Sequence, residues 1–480
     1  MSMKPIDKKV VILGGGISGL SAAFYVQKLA LERQLPVEIT IVEKSKRMGG
    51  RIETLHRQGF VLEKGPDSFL SRKTAVLDLS RELGLEEELV PTNPQAKTAY
   101  ILHKNKLHPM PMGFVLGIPT KLTPFIRTGL ISPAGKLRAA LDLILPARRE
   151  KEDESLGAFI QRRLGQEVLE HITEPLLSGI YAGNTHSLSL NATFPQFKQM
   201  ELMHRSLIKG MAKGSGSRPS TNQGQGGQSA QVAKSMFLSY RGGLSTLIER
   251  LKERLHAAQY MIGQGAVAIQ KEKQYHVVLE NGQQLEADAI ICAVPAYEAA
   301  RLLAEVPGAD CLQDIAYVSV ANISLAYRKK DLGVAFEGTG FLVPRKEGRM
   351  ITACTWSSTK WKHTAPEDYA LVRAYIGHAG AQDWTQWTNE ELVEAARRDL
   401  LELTGLKAEP MMVEVSRCNE AMPQYPLGHL ETLKSLRDTL AERLPGIWLC
   451  GAGYGGVGIP DCIAQGKAAA EQLLAAYTDM

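Results

Sequence analysis

The sequence predicts a mixed α/β fold that contains a Rossmann-like parallel-sheet domain. Three observations predict it. A β-branched run, Val10-Val11-Ile12-Leu13, enters the turn Gly14-Gly15-Gly16-Ile17-Ser18-Gly19 and continues in helix formers through Leu29. Near the other end, Ile447-Trp448-Leu449-Cys450 runs into Gly451-Ala452-Gly453, and a helix follows from about Cys462. Between them, β-rich stretches at Met261 to Ile269 and Gln284 to Ala293 flank the hairpin signal Glu280-Asn281-Gly282.

The first element is strand, GxGxxG, helix, the opening of a Rossmann-like dinucleotide-binding domain. Gly14 permits the tight turn, Gly16 lets a pyrophosphate approach the backbone, and Gly19 lets the helix pack on the strand. Gly15, Ile17 and Ser18 complete a loop whose free N–H groups and positive dipole end suit a phosphate. A second strand, Val37 to Val42, ends in Glu43, 24 positions after Gly19. A carboxylate there accepts hydrogen bonds from ribose hydroxyls and argues against the 2′-phosphate of NADP. Lys44 follows it in the same expected site.

Downstream, Arg47-Met48-Gly49-Gly50-Arg51 offers adjacent glycines and a fixed cation for a second close pass along the pyrophosphate. This run resembles the extended FAD motif of the amine oxidase and protoporphyrinogen oxidase superfamily. Glu63-Lys64-Gly65-Pro66-Asp67-Ser68 is similar to that superfamily's flavin loop. At the C-terminus, Gly453 and the run Gly455-Gly456-Val457-Gly458-Ile459-Pro460-Asp461 open a helix whose N-terminus, aimed at the flavin N1 and O2 region, would stabilise reduced flavin. The resemblance also places a valine, here Val267, beside the adenine.

In the family the middle segment completes the nucleotide domain, so the resemblance implies an FAD-binding domain assembled from 1–90, 232–300 and 412–480. The insertions are a mainly helical domain, 91–209, and an α+β substrate-binding domain, 301–411. Residues 210–231, rich in Gly, Ser and Gln, read as a loop. The stretch Leu107 to Arg149 mixes apolar residues with cations, which suits either a solvated helical lobe or weak peripheral contact with a membrane. Outside the glycine-rich C-terminal turn, no apolar run approaches the ~20 residues of a spanning helix. A net charge of +5 on 480 residues is too thin for a nucleic-acid partner. The six cysteines include no CxxC and no zinc-like spacing, so free thiols in a reducing, cytoplasmic compartment and no metal site are expected.

Longer motifs narrow the resemblance. Glu174-Pro175-Leu176-Leu177-Ser178-Gly179-Ile180-Tyr181-Ala182-Gly183, Thr193-Phe194-Pro195-Gln196-Phe197, Met422-Pro423-Gln424-Tyr425, and the Gly65 to Leu70 and Gly456 to Ile463 runs resemble the oxygen-dependent protoporphyrinogen oxidases. The last two look like the Gram-positive branch, whose members act mainly on coproporphyrinogen III. The resemblance implies three two-electron oxidations of a cyclic tetrapyrrole on one FAD, with O2 as acceptor, H2O2 as by-product and product passed to a ferrochelatase. Such chemistry needs positioning more than acid–base groups.

For the substrate, Arg72 and Lys73 are expected to bind propionates, Lys73 matching a family substrate-contact lysine. The resemblance aligns Asp67 with a position that is Asn or Asp in relatives and implies that it accepts pyrrole N–H bonds, and it places Ile180, Gly340, Phe341 and Leu342 as apolar walls of the tetrapyrrole cavity. Cys418 stands where a close relative's motif has Trp, at the flavin edge. Tyr454 and Gly455 stand where amine oxidases often carry a flavin-bonding cysteine, so FAD is expected to be non-covalent. Protoporphyrinogen IX remains open as the substrate. A flavin amine oxidase, a carotenoid desaturase and a non-catalytic porphyrin carrier are the alternative readings.

Overall fold

In the computed structural model, residues 8–150, 152–214, 231–232, 234–381 and 383–478 are described. Its centre is a five-stranded, all-parallel sheet in the order Gln259–Ile262, Val37–Glu43, Lys8–Leu13, Ala289–Cys292, Ile447–Leu449. Val10 to Leu13 occupy its middle strand and are at most 2% exposed, because both faces are covered. Each such side chain stabilises the fold by about 1.5–3 kcal/mol. On one face the helix Ile17–Glu32 packs against the final helix Ile459–Thr478. The crossing is backbone-close: a Cβ on Gly466 would lie 2.5 Å from the Ser18 carbonyl oxygen.

The region between 259 and 292 is divided among sheets. Met261 belongs to the parallel sheet, the chain turns at Gly263 with φ +76°, and Ala266–Lys271 then joins Tyr275–Leu279 and Gln284–Ala287 in a separate antiparallel sheet. The Glu280-Asn281-Gly282 turn closes its second hairpin.

A seven-stranded mixed sheet stands opposite, in the order Met412–Pro423, Tyr317–Arg328, Tyr369–Ile376, Ile351–Thr355, Gly340–Leu342, Ala99–His103, Lys106–Pro109. It reaches beyond the expected substrate segment at both ends. Ala99–His103, in the segment expected to be helical, pairs parallel to Gly340–Leu342. Met412–Pro423, in the segment expected for the nucleotide domain, pairs with Tyr317–Arg328. Strand pairing between distant segments overrides their linear neighbourhood.

The helical lobe follows, with Leu156–Leu164, Glu174–Tyr181, Pro195–His204 and Leu207–Gly214 among its helices. Its core includes Phe159, Phe197 and Leu169. A fully buried pair, Arg163 with Asp142 at 2.5 Å, also binds Glu201. The helix Leu207–Gly214 enters the expected 210–231 loop because Leu207, Ile208 and Met211 form a buried face. The rest of that loop, 215–230, lies outside the described residues.

Candidate active site

The first glycine turn has the geometry of a phosphate cradle. Gly14 adopts φ +104°, and a Cβ there would lie 2.8 Å from the Ala293 carbonyl oxygen. On Gly19 a Cβ would lie 1.9 Å from the Gly14 oxygen. Gly16 differs: it is the N-cap of Ile17–Glu32 with no side-chain cap, and its Cβ would meet nothing nearer than Gly50 Cα at 3.8 Å. The helix N-terminus therefore opens onto free space with its N–H groups unclaimed by a cap, a fit for a dinucleotide pyrophosphate. Ile17 and Ser18 are buried beneath it.

A second turn meets the first backbone to backbone. The Gly49 amide donates to the Gly15 carbonyl at 2.8 Å, and Gly49 and Gly50 have φ of +107° and +58°. A Cβ on Gly50 would come within 3.0 Å of Gly16 Cα. Glu43 closes the strand end, its oxygens accepting from the Gly15 and Ser45 amides at 2.7 Å each. Both oxygens keep a lone pair for a ribose. Lys44 lies 3.5 Å from both Glu280 and Glu298. Arg51, expected as a phosphate cation, donates instead to the carbonyls of Asn419 and Glu420 at 2.9 Å.

The flavin loop is gripped from the seven-stranded sheet. A Cβ on Gly65 would lie 1.8 Å from the Arg51 oxygen, so glycine is obligatory there, and the Gly65 carbonyl accepts from Arg373. The preceding carbonyl, of Lys64, accepts from Asn322 Nδ2 at 2.9 Å and from the Cys418 thiol at 3.6 Å, which places Cys418 beside the loop. Beyond Pro66, Asp67 pairs with Lys360 at 3.1 Å and accepts from the Ser68 hydroxyl at 2.6 Å. Burial pushes the Asp67 carboxyl up, but the Lys360 and Arg373 cations and the Ser68 bond outweigh it and hold it well below the usual carboxylate range.

At the rim, Lys73 differs from expectation: its ammonium binds both oxygens of Asp461 at 2.6 Å, tying the flavin loop to the first turn of the final helix. Arg72 is exposed and has no acidic partner among the described residues. Ile180 is 36% exposed. Phe341 is not a reachable wall: it is 1% exposed and packs edge-on against Trp356 at 5.5 Å. Side chains alternate along a strand, so Gly340–Leu342 turns Phe341 into the core and leaves Leu342 partly accessible.

At the C-terminal turn, a Cβ on Gly453 would lie 2.6 Å from the Tyr317 hydroxyl, and one on Gly458 would lie 2.9 Å from Asp461 Oδ2. Val457 is half-buried and Ile459 buried. Tyr425, fully buried, accepts from the Gly456 amide at 3.0 Å and donates to the Ala452 carbonyl, which fixes this turn. Val267 sits at a β-bulge between Ala266 and Ala268 and so stands out of the ladder.

Sequence reasoning missed Lys360, Arg373 and Asn322, which lie about 260 to 310 positions from the loop residues they bind and belong to no motif. Tyr425 carried a signal, the Met-Pro-Gln-Tyr run, but no role.

The paired glycine turns at the ends of parallel strands and the loop clamped against a second sheet define a flavin-dependent oxidoreductase. The chain belongs to the flavin containing amine oxidoreductase family, whose model matches residues 17–474. It is 45% identical over 468 residues to the coproporphyrinogen III oxidase of Bacillus subtilis (strain 168), covering 97% of this chain and 98% of that protein. It is 34% identical to the protoporphyrinogen oxidase of Bos taurus, covering 98% and 99%. A crystal structure from Exiguobacterium sp. 255-15 matches with a TM-score of 0.85 at 36% identity, covering 97% and 98%. Among the described residues no helix is long and apolar enough to cross a membrane.

Proposed function

We propose that this protein oxidises coproporphyrinogen III to coproporphyrin III in haem biosynthesis, in three two-electron steps on non-covalent FAD, with O2 reduced to H2O2. The observation that carries this reading is the near full-length similarity to a coproporphyrinogen III oxidase at 45% identity, above the 34% to a protoporphyrinogen oxidase.

In this reading segments 1–90, 232–300 and 412–480 hold FAD together. The amides around Gly16 bind the pyrophosphate, Glu43 the ribose, the bulged backbone at Val267 the adenine, and the Gly453 to Ile459 turn the pyrimidine edge. When bound, the flavin takes hydride from a meso carbon of the substrate. The chain positions that carbon and excludes water. Asp67, ionised and with lone pairs left beyond Ser68 and Lys360, accepts pyrrole N–H bonds. Arg72, lacking an internal acidic partner, binds a propionate, with Lys73 in reserve behind Asp461. Ile180 and Leu342 contribute apolar wall.

Non-covalent attachment is supported by the cysteines of the C-terminal turn. Cys450 and Cys462 are buried, and burial pushes the Cys462 thiol up to about 11 and that of Cys450 higher still, so neither offers a thiolate at neutral pH. A cytoplasmic location and hand-off to a ferrochelatase belong to the same proposal.

The test is aerobic porphyrin fluorescence with coproporphyrinogen III and protoporphyrinogen IX in separate reactions. We expect kcat/KM at least about tenfold higher for coproporphyrinogen, a discrimination of about 1.4 kcal/mol. Preference for protoporphyrinogen would overturn the substrate, and catalysed oxidation of neither would overturn the class.

A further inference from the structure

Behind the flavin loop lies a small polar chamber that Asp67 shares with groups the mechanism above does not use. About 20 Å³ of it is open to a water centre, room for one water. Glu63, Asp67, Ser357, Trp361, His363 and Arg373 are among its walls. Two of these present donors with no acceptor: Trp361 Nε1 and Arg373 Nε, on side chains 2% and 3% exposed. Leaving both unsatisfied would cost about 1–3 kcal/mol each. A water that accepts from one of them keeps a second lone pair to take up a proton and two protons to give, and the chamber is walled by two carboxylates, Glu63 and Asp67.

We propose that Glu63 receives, through this chamber water, the proton released from the substrate in each oxidation step. The inference rests on the porphyrinogen oxidase reading and deepens it.

The two carboxylates have been driven apart by their surroundings, the usual signature of divided proton-transfer roles. Asp67 is held ionised by Lys360 and Arg373. Burial pushes the Glu63 carboxyl up to about 7, against the Leu244 amide at 2.7 Å, the Thr54 hydroxyl at 2.9 Å and the more distant Arg373 cation, while the Asp67 charge adds to the rise. His363, with Arg241 behind it, is pushed down to about 4 by burial and stays neutral. Around the chamber, Glu63 is therefore the acid that exchanges a proton near neutral pH.

The balance of each step is complete. Hydride leaves a meso carbon in every step; in two of them a pyrrole N–H bond breaks and its electron pair closes the new C=N bond, and in the third the proton leaves the remaining meso carbon and the C–H pair closes a C=C bond, so that the porphyrin keeps two N–H groups. The proton passes from Asp67's side of the loop to the water and on to the Glu63 carboxylate. Hydride and that proton both end on O2 as H2O2, which returns Glu63 to its ionised form.

The experiment is Glu63→Gln in the flavin-loaded enzyme, with coproporphyrinogen III as substrate. In the wild type kcat rises with pH through about 7 as Glu63 ionises. The variant should keep its flavin and KM, lose at least about tenfold in kcat above that pH and lose the rise itself. Infrared titration provides a readout apart from turnover: a protonated-carboxyl stretch that disappears through about pH 7 in the wild type should be missing in the variant. Trp361→Phe, which removes one water donor and keeps the ring, should lower kcat and shift the midpoint, and it serves if Glu63→Gln fails to fold. Normal turnover with an unchanged pH profile would overturn the inference alone. A wild type that oxidises neither porphyrinogen would overturn the functional reading, and the inference with it.

Discussion

The glycine turns beside the parallel sheet and the side chains of the seven-stranded sheet hold the candidate site by different means. On the parallel side backbone meets backbone: Gly49 N–H to Gly15 oxygen, Gly50 against Gly16, Gly65 against Arg51. On the other side long side chains reach across, Asn322 to the Lys64 carbonyl, Arg373 to the Gly65 carbonyl, Lys360 to Asp67. Close backbone contact excludes every residue but glycine, so it leaves a trace in the sequence. A side-chain grip can be made from any strand with the right register, and it leaves none.

Glycine changes test the first side and should have the largest effects. Gly16→Val should abolish flavin binding while the protein stays folded, since the added atoms enter the open cradle. Gly19→Val should fail to fold, because its Cβ is placed 1.9 Å from the Gly14 oxygen. Absorbance after desalting, with circular dichroism, separates the two outcomes. A yellow Gly16→Val protein would break the assignment of that turn to pyrophosphate.

Changes on the second side should cost less and act on stability more than on flavin content. Asn322→Leu strips the Lys64 carbonyl of its amide donor and should destabilise by about 1–3 kcal/mol, read from the urea midpoint at unchanged m-value. An undiminished midpoint would mean that water replaces the amide at no cost, and that the grip on this side is dispensable.

The smallest effects belong to the rim. Arg72→Ala should raise KM for coproporphyrinogen III about tenfold with kcat nearly unchanged, and should raise it less for protoporphyrinogen IX, which has two fewer propionates. Lys73→Ala should affect flavin retention more than KM, because Lys73 tethers Asp461 at the start of the final helix. The reverse ranking of the two variants would restore Lys73 as the substrate cation.

The nucleotide half was thus legible because its determinants are local. A β-branched run buried on both faces, a turn needing three glycines and a terminal carboxylate lie within forty residues and obey fixed spacing. The substrate half was legible only in outline. Phe341 shows why: the sequence places it on a strand, but which face of that strand meets the cavity depends on pairing with Ala99–His103 and Ile351–Thr355. Lys73 shows the same for charge, since the Asp461 that claims it lies 388 positions away.

The sequence alone determined the fold class, the glycine turns at both ends of the chain and the flavin they point to, because backbone geometry restricts residue type at each position. Tertiary structure alone decided which cations are free, which carboxylate is held ionised, and that Glu63 and Asp67 share a chamber with two unpartnered donors. Those properties arise from burial and from distances between segments, and no local pattern encodes either.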